Sequence, residues 1–140
     1  MFIESEQVRT ILIQCILLDT YNRKDGIMAK SESIEDICPM ELGINILSGK
    51  WKLQIIWKIY TKETLRFNEL QKSLGNITTK TLTQQLRELE SEKMITRTVY
   101  PEVPPKVEYT LSDIGKTIAP VLKSLCDWGT SYQKDLRKED

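Results

Sequence analysis

The sequence predicts a mainly α fold with one small β-hairpin, and three observations carry that expectation. Apolar residues recur at three- and four-residue spacing through most of residues 40–89 and again through 114–136. Residues 95–100 and 107–111 instead alternate with the period of two expected of strands. Two of the helical stretches, joined by about four residues that include Gly75, lie immediately before that hairpin. Helix, turn, helix and hairpin, in that order, make a winged helix-turn-helix.

Each element has its own signals. Pro39 suits a first helical position and Glu41 falls in the first turn, where the helix dipole favours an acid. Met40, Ile44 and Leu47 mark an apolar face before Ser48 and Gly49 end the helix. In KWKLQIIWKIYTK, Trp51, Ile55 and Ile59 form a stripe that Leu53, Ile56, Trp57 and Tyr60 widen, so both helices read as core elements. RFNELQKSL is a short helix with Phe67, Leu70 and Leu74 on one side and Gly75 just past its end, where a left-handed residue stops it. Thr78 or Thr79 then caps a helix carrying Leu82, Leu86 and Leu89 inward. The connector Pro101–Pro105 lacks the Asn-Gly pair of a tight hairpin, which predicts a wider, stiff tip. The register Ile114, Ile118, Val121, Leu122, Leu125, Trp128, Tyr132 and Leu136 spans about six turns, with Pro120 expected to kink or break it. That apolar length exceeds what a small core needs and points to a homodimer interface at Leu122, Leu125, Trp128 and Tyr132.

The domain is expected over residues 38–135, with 1–37 as an N-terminal extension. VRTILIQCILLDTY in that extension has a helical stripe with apolar residues off it. It is either an extra helix that packs on a partner subunit or an upstream extension preceding a start at Met28. It is shorter than the roughly 20 apolar residues that span a bilayer, so no membrane segment is expected.

Composition narrows the function. The 140 residues contain 20 Lys plus Arg and 20 Asp plus Glu, so any attraction for a polyanion must come from a local patch. Histidine is absent, which removes the commonest general base and metal ligand. Cys15, Cys38 and Cys126 have no paired spacing, and no secretory signal precedes them, so they are expected as free thiols in a reducing cytoplasm. None of the six glycines builds a phosphate-cradling loop. An enzyme, a metal and a cofactor are all unsupported.

The capped helix carries the function. With its leucines inward, Lys80, Thr83, Gln84 and Arg87 fall on the outer side, and Thr78, Thr79 and Thr81 cluster at its start. Such side chains reach phosphates and base edges in a major groove. From Arg66 to Lys106 seven basic residues (66, 72, 80, 87, 93, 97, 106) face five acidic ones (69, 88, 90, 92, 102), a net of +2 in a neutral chain. Arg66, Arg97 and Lys106 add candidate phosphate contacts around the hairpin, completing a DNA-binding set for double-stranded DNA. The alternative is a winged-helix protein-interaction module, which the neutral overall charge keeps open.

CPMELGINILSGKWKLQIIWKI, the run from RFNELQKSL through TLSDIGK, and LCDWG together resemble the HxlR-type winged helix-turn-helix transcriptional regulators, related to the MarR group. The resemblance covers about Cys38–Tyr132. It implies a homodimeric DNA-binding repressor or activator, with a recognition helix over Thr79–Glu92, a wing over Ile95–Leu111 and dimerisation through the first and last helices. It also implies a candidate redox sensor at Cys38, whose Cys-Pro pair matches the position where several family members sense oxidants. A helix N-terminus favours the thiolate there, while Glu35, Asp36 and Glu41 oppose it. Cys126, in the apolar register, is expected to be an inert small hydrophobe.

Overall fold

The computed structural model describes residues 37–138 together with Arg9, Thr10 and Ile13 of an upstream helical segment; the remainder of the predicted extension, Cys15 included, lies outside the described residues. The chain divides into two compact units, Met1–Ser48 and Gly49–Asp140.

In the first unit, helix α1 (Pro39–Leu47) begins as expected, with Pro39 in the opening turn and the Leu42 N–H donating to the Cys38 carbonyl at 2.9 Å. The expectation that it is a core helix does not hold, because none of its residues is buried and Met40 and Ile44 are exposed. Its five large apolar residues, Met40, Leu42, Ile44, Ile46 and Leu47, all keep some exposure.

The second unit contains α2 (Lys52–Lys62), β1 (Thr64–Arg66), α3 (Phe67–Leu74), α4 (Thr79–Ser91), β2 (Ile95–Tyr100), β3 (Lys106–Leu111), α5 (Asp113–Lys116) and α6 (Ala119–Lys138). Ile55, Ile56 and Ile59 of α2, Leu70 of α3 and Leu82, Leu86 and Leu89 of α4 are buried and form the core. Full burial of such side chains contributes about 1.5–3 kcal/mol each before the entropy of ordering them is counted. This core fixes α4 with its leucine stripe inward.

The sheet is antiparallel in the order β1-β3-β2, with Ile95 opposite Leu111 and Tyr100 opposite Lys106. Strand β1 is absent from the sequence reading; it pairs Thr64 with Thr110 and Arg66 with Glu108, so the hairpin is a three-stranded sheet tied to the start of α3. Gly75 ends α3 with φ 79°, the left-handed backbone that its lack of a Cβ allows.

The long C-terminal register is split. Ser112 caps α5, its hydroxyl accepting from the Gly115 N–H at 2.9 Å, and Pro120 sits in the opening turn of α6, where its missing N–H removes no helical bond. Leu122 is 3% exposed and belongs to the core of its own chain, so it is corrected from the interface set, whereas Leu125, Trp128 and Tyr132 are exposed. The seven-residue step from Val121 to Trp128 runs along one side of the helix, and Leu122 lies one position round from it, toward the core.

Candidate nucleic-acid interface

Helix α4 starts on a built cap. The Thr78 hydroxyl accepts from the Thr81 N–H at 3.1 Å and donates to the Thr81 hydroxyl at 2.9 Å. A Gln71 amide from α3 donates to the Ile77 carbonyl at 3.3 Å and the Thr79 hydroxyl at 3.2 Å, joining the two helices across the turn. The Thr83 hydroxyl donates back to the Thr79 carbonyl at 2.7 Å. Thr78 and Thr83 therefore spend their hydroxyl donors on the helix start and keep acceptor capacity, whereas the Thr79 and Thr81 hydroxyls accept there and keep their O–H donors.

Past the cap, the exposed side chains of α4 are Lys80, Gln84 and Arg87, followed at its end by Glu90 and Ser91. Lys80, Gln84 and Arg87 line, with Thr83 and Glu88, a shallow depression of about 450 Å³ on the outer face of α4. None of Lys80, Arg87, Arg66 and Arg97 makes an ion pair with another described residue. Arg66 stands at the start of α3, where its backbone N–H donates to Glu69 Oε2 at 2.8 Å.

Lys106 is placed differently from the other cations. Its ammonium lies 3.1 Å from Glu108 Oε1 and 4.8 Å above the Tyr100 ring. The Lys106 ammonium, with lesser help from the Tyr100 hydroxyl and the Arg66 charge, holds the Glu108 carboxyl below the usual carboxylate range. The base of the wing thus presents a neutralised pair, and its tip presents Val103 fully exposed among Pro101, Pro104 and Pro105.

Sequence reasoning did not reach the network behind α4. Lys52, on α2, is buried, with its ammonium 3.1 Å from Glu88 Oε2 and 3.5 Å from Glu92 Oε1. Glu92 Oε2 is buried with no hydrogen-bond partner among the described residues. Glu88 Oε1 accepts from Gln84 Nε2 at 3.1 Å. Lys52, and after it the Gln84 amide, lowers the Glu88 carboxyl from its ordinary value. The only signal in the sequence was a lysine inside an apolar helical run, a pattern that ordinary surface snorkelling also produces.

A family model described as HxlR-like helix-turn-helix matches residues 46–137, well over half of the chain. The chain belongs to the HxlR-like helix-turn-helix family. Within it, an uncharacterized HTH-type transcriptional regulator of Halalkalibacterium halodurans is 42% identical over 106 residues, covering 76% of this chain and 93% of that relative. The solved structure of the HTH-type regulator YtcD is similar with a TM-score of 0.67 at 42% identity, over 70% of this chain and 99% of YtcD. The redox regulator HypR in its oxidized form is similar with a TM-score of 0.63 at 40% identity, over 67% of this chain and 96% of HypR.

One cysteine of this HxlR-like chain differs from the sequence expectation. Cys38 is disulfide-bonded, so it is not a free thiol here. Spacing along the chain does not limit such a bond; a Cα separation of about 4.4–6.8 Å does, and the fold sets it. Cys126 is a free thiol, as expected, and is exposed. No group of three or more His, Cys, Asp or Glu among the described residues has the arrangement of a metal site. No helix among them is long and apolar enough to cross a membrane.

Proposed function

We infer that this chain is a sequence-specific DNA-binding transcriptional regulator that acts as a homodimer on a pseudo-palindromic operator. The observation that carries it is the outer face of α4: Lys80, Gln84 and Arg87 exposed side by side on a capped helix whose opposite face is locked into the core. In the major groove, Gln84 and Arg87 supply the hydrogen bonds that distinguish bases, while Lys80 and Arg97 meet phosphates. The exposed run of Leu125, Trp128 and Tyr132 on α6 supports a second copy as partner, with Trp128 and Tyr132 stacked at 5.4 Å. A two-fold dimer places its half-sites about one helical turn, ~34 Å, apart.

The test is fluorescence anisotropy on the chain's own upstream DNA and on a scrambled duplex, across a salt titration. Tight, salt-sensitive binding to the first and weak binding to the second is expected. Unchanged affinity in Lys80→Ala, Gln84→Ala and Arg87→Ala together refutes the assigned face. Equal weak affinity for both duplexes, with a stable protein partner, supports the interaction-module alternative instead.

The disulfide at Cys38 and the likeness to an oxidized redox regulator support a thiol-responsive input. Reduction with dithiothreitol, followed by diamide, should change operator affinity in the parent chain and leave Cys38→Ser indifferent. The same response in both removes Cys38 from this role.

A further inference from the structure

The contact between Gln84 and Glu88 has a consequence for which base Gln84 selects, given the DNA-binding reading above on which the inference rests. A glutamine amide has a carbonyl on one side and an NH₂ on the other, and nothing in an exposed helix side chain fixes which side faces which neighbour. Here the neighbour is a carboxylate. Ionised, it accepts only, so the NH₂ must face it; a flipped amide would set two oxygens against each other. The 3.1 Å contact from Gln84 Nε2 to Glu88 Oε1 is therefore a directional lock.

The lock is itself held. Glu88 Oε2 lies 3.1 Å from the ammonium of Lys52, a buried residue of α2, and 3.5 Å from Gln85 Nε2. Both oxygens are thus engaged, one toward the core and one toward the groove-facing amide. With Glu88 taking one N–H of Gln84, the amide retains one N–H and its carbonyl. That is the donor and acceptor pair complementary to N7 and N6 of adenine in the major groove.

We propose that Glu88, anchored by Lys52, is a positioning residue that fixes the amide of Gln84 in the orientation that reads adenine. Without it, the amide rotates freely, exchanges its donor and acceptor positions, and accepts other base edges at the same step. Glu88 then sets preference without touching DNA, and its removal deletes a negative charge near the phosphates, so affinity and preference move independently.

The experiment measures relative affinities for operator variants carrying each of the four base pairs at every position, in the full chain. Gln84→Ala identifies the pair that Gln84 reads as the one whose preference it relaxes. At that pair the parent chain is expected to favour adenine about tenfold or more. Glu88→Gln, whose side chain both donates and accepts, should reduce that preference to about two- to threefold and leave other positions unchanged. Glu88→Asp keeps the charge but shortens the reach, and should produce the same local loss if Glu88→Gln does not fold. In a Gln84→Ala background neither change should alter base preference further. A parent chain with no base preference anywhere overturns both this proposal and the DNA-reading function. A parent chain with preference that Glu88→Gln and Glu88→Asp retain, or one that prefers another base where Gln84 reads, overturns this proposal alone.

Discussion

Gly115→Ala should destabilise the fold more than any other glycine-to-alanine change in the described chain. A Cβ built on Gly115 lies 1.9 Å from the Met94 carbonyl oxygen and 3.0 Å from its carbon, and ordinary contact begins at 3.4 Å. The two must part by about 1.5 Å, from 1.9 to 3.4 Å. Neither side is free to yield: the Met94 carbonyl accepts from the Ser112 N–H at 3.1 Å, and the Ser112 hydroxyl reaches the Lys93 and Met94 carbonyls while capping Gly115. Overpacking of this kind costs about 1–3 kcal/mol, a broken backbone hydrogen bond about 1 more, and alanine's better helix propensity offsets at most about 1. The net loss of about 1–3 kcal/mol corresponds to a Tm lower by roughly 3–12 °C in a chain of this size. Thermal unfolding by circular dichroism, at fixed protomer concentration, reads it directly. Gly129→Ala is the contrast: no atom lies within 4 Å of its Cβ, and a helix-interior glycine replaced by alanine should raise stability by about 0.5–1 kcal/mol. A Gly115→Ala chain that melts at or above the parent temperature refutes the close-approach reasoning.

Three further outcomes follow from named contacts. Glu108→Gln releases Lys106 at the wing base, so affinity for any duplex should rise and the log–log salt slope should steepen by about one unit in an anisotropy titration. Leu125→Asp with Trp128→Ala should shift the sedimentation coefficient to that of a monomer while helicity by circular dichroism is preserved, since both side chains are exposed within the chain. Glu88 and Glu108 both have folded-state pKa values below the ordinary 4.5, so their contribution to stability is complete above that value and is lost as pH falls through the lower folded values. A pH series of urea midpoints should therefore decline more shallowly on the acid side for Glu108→Gln than for the parent.

The helix-turn-helix was legible because its signals are local and agree. The leucine period, the threonine cap and Gly75 each predict the same boundaries, and α4 begins at Thr79 with Thr78 capping it. The hairpin was legible for the same reason, through its period of two. Strand β1 was not: three residues carry no period, and Thr64–Arg66 is a strand only because β3, more than 40 residues later, lies beside it. Leu122 shares a helical register with Leu125 and Trp128, and periodicity alone does not separate the side that meets the chain's own core from the side that is left exposed. Lys52 was hidden for a related reason. A lysine next to Trp51 and Leu53 is unremarkable until the fold brings Glu88 and Glu92 to it from another helix.

That last contact bears on how a chain of zero net charge leaves cations of α4 without ion pairs. The count from Arg66 to Lys106 sets Glu88 and Glu92 among five acidic residues against seven basic ones. In the fold they are drawn to Lys52, a cation outside that window and on the core side of α4. Glu69 binds a backbone N–H, and Glu108 is taken by Lys106. Lys80, Arg87, Arg66 and Arg97 remain without ion pairs among the described residues. Because potential near a surface is screened over about 10 Å at 0.1 M salt, the pairing of each carboxylate matters more to an approaching phosphate than the chain's total does. Pairing Glu88 and Glu92 with one buried lysine ties the end of α4 to α2 and leaves Lys80 and Arg87 without ion pairs among the described residues, while Glu90 stays exposed on the same helix.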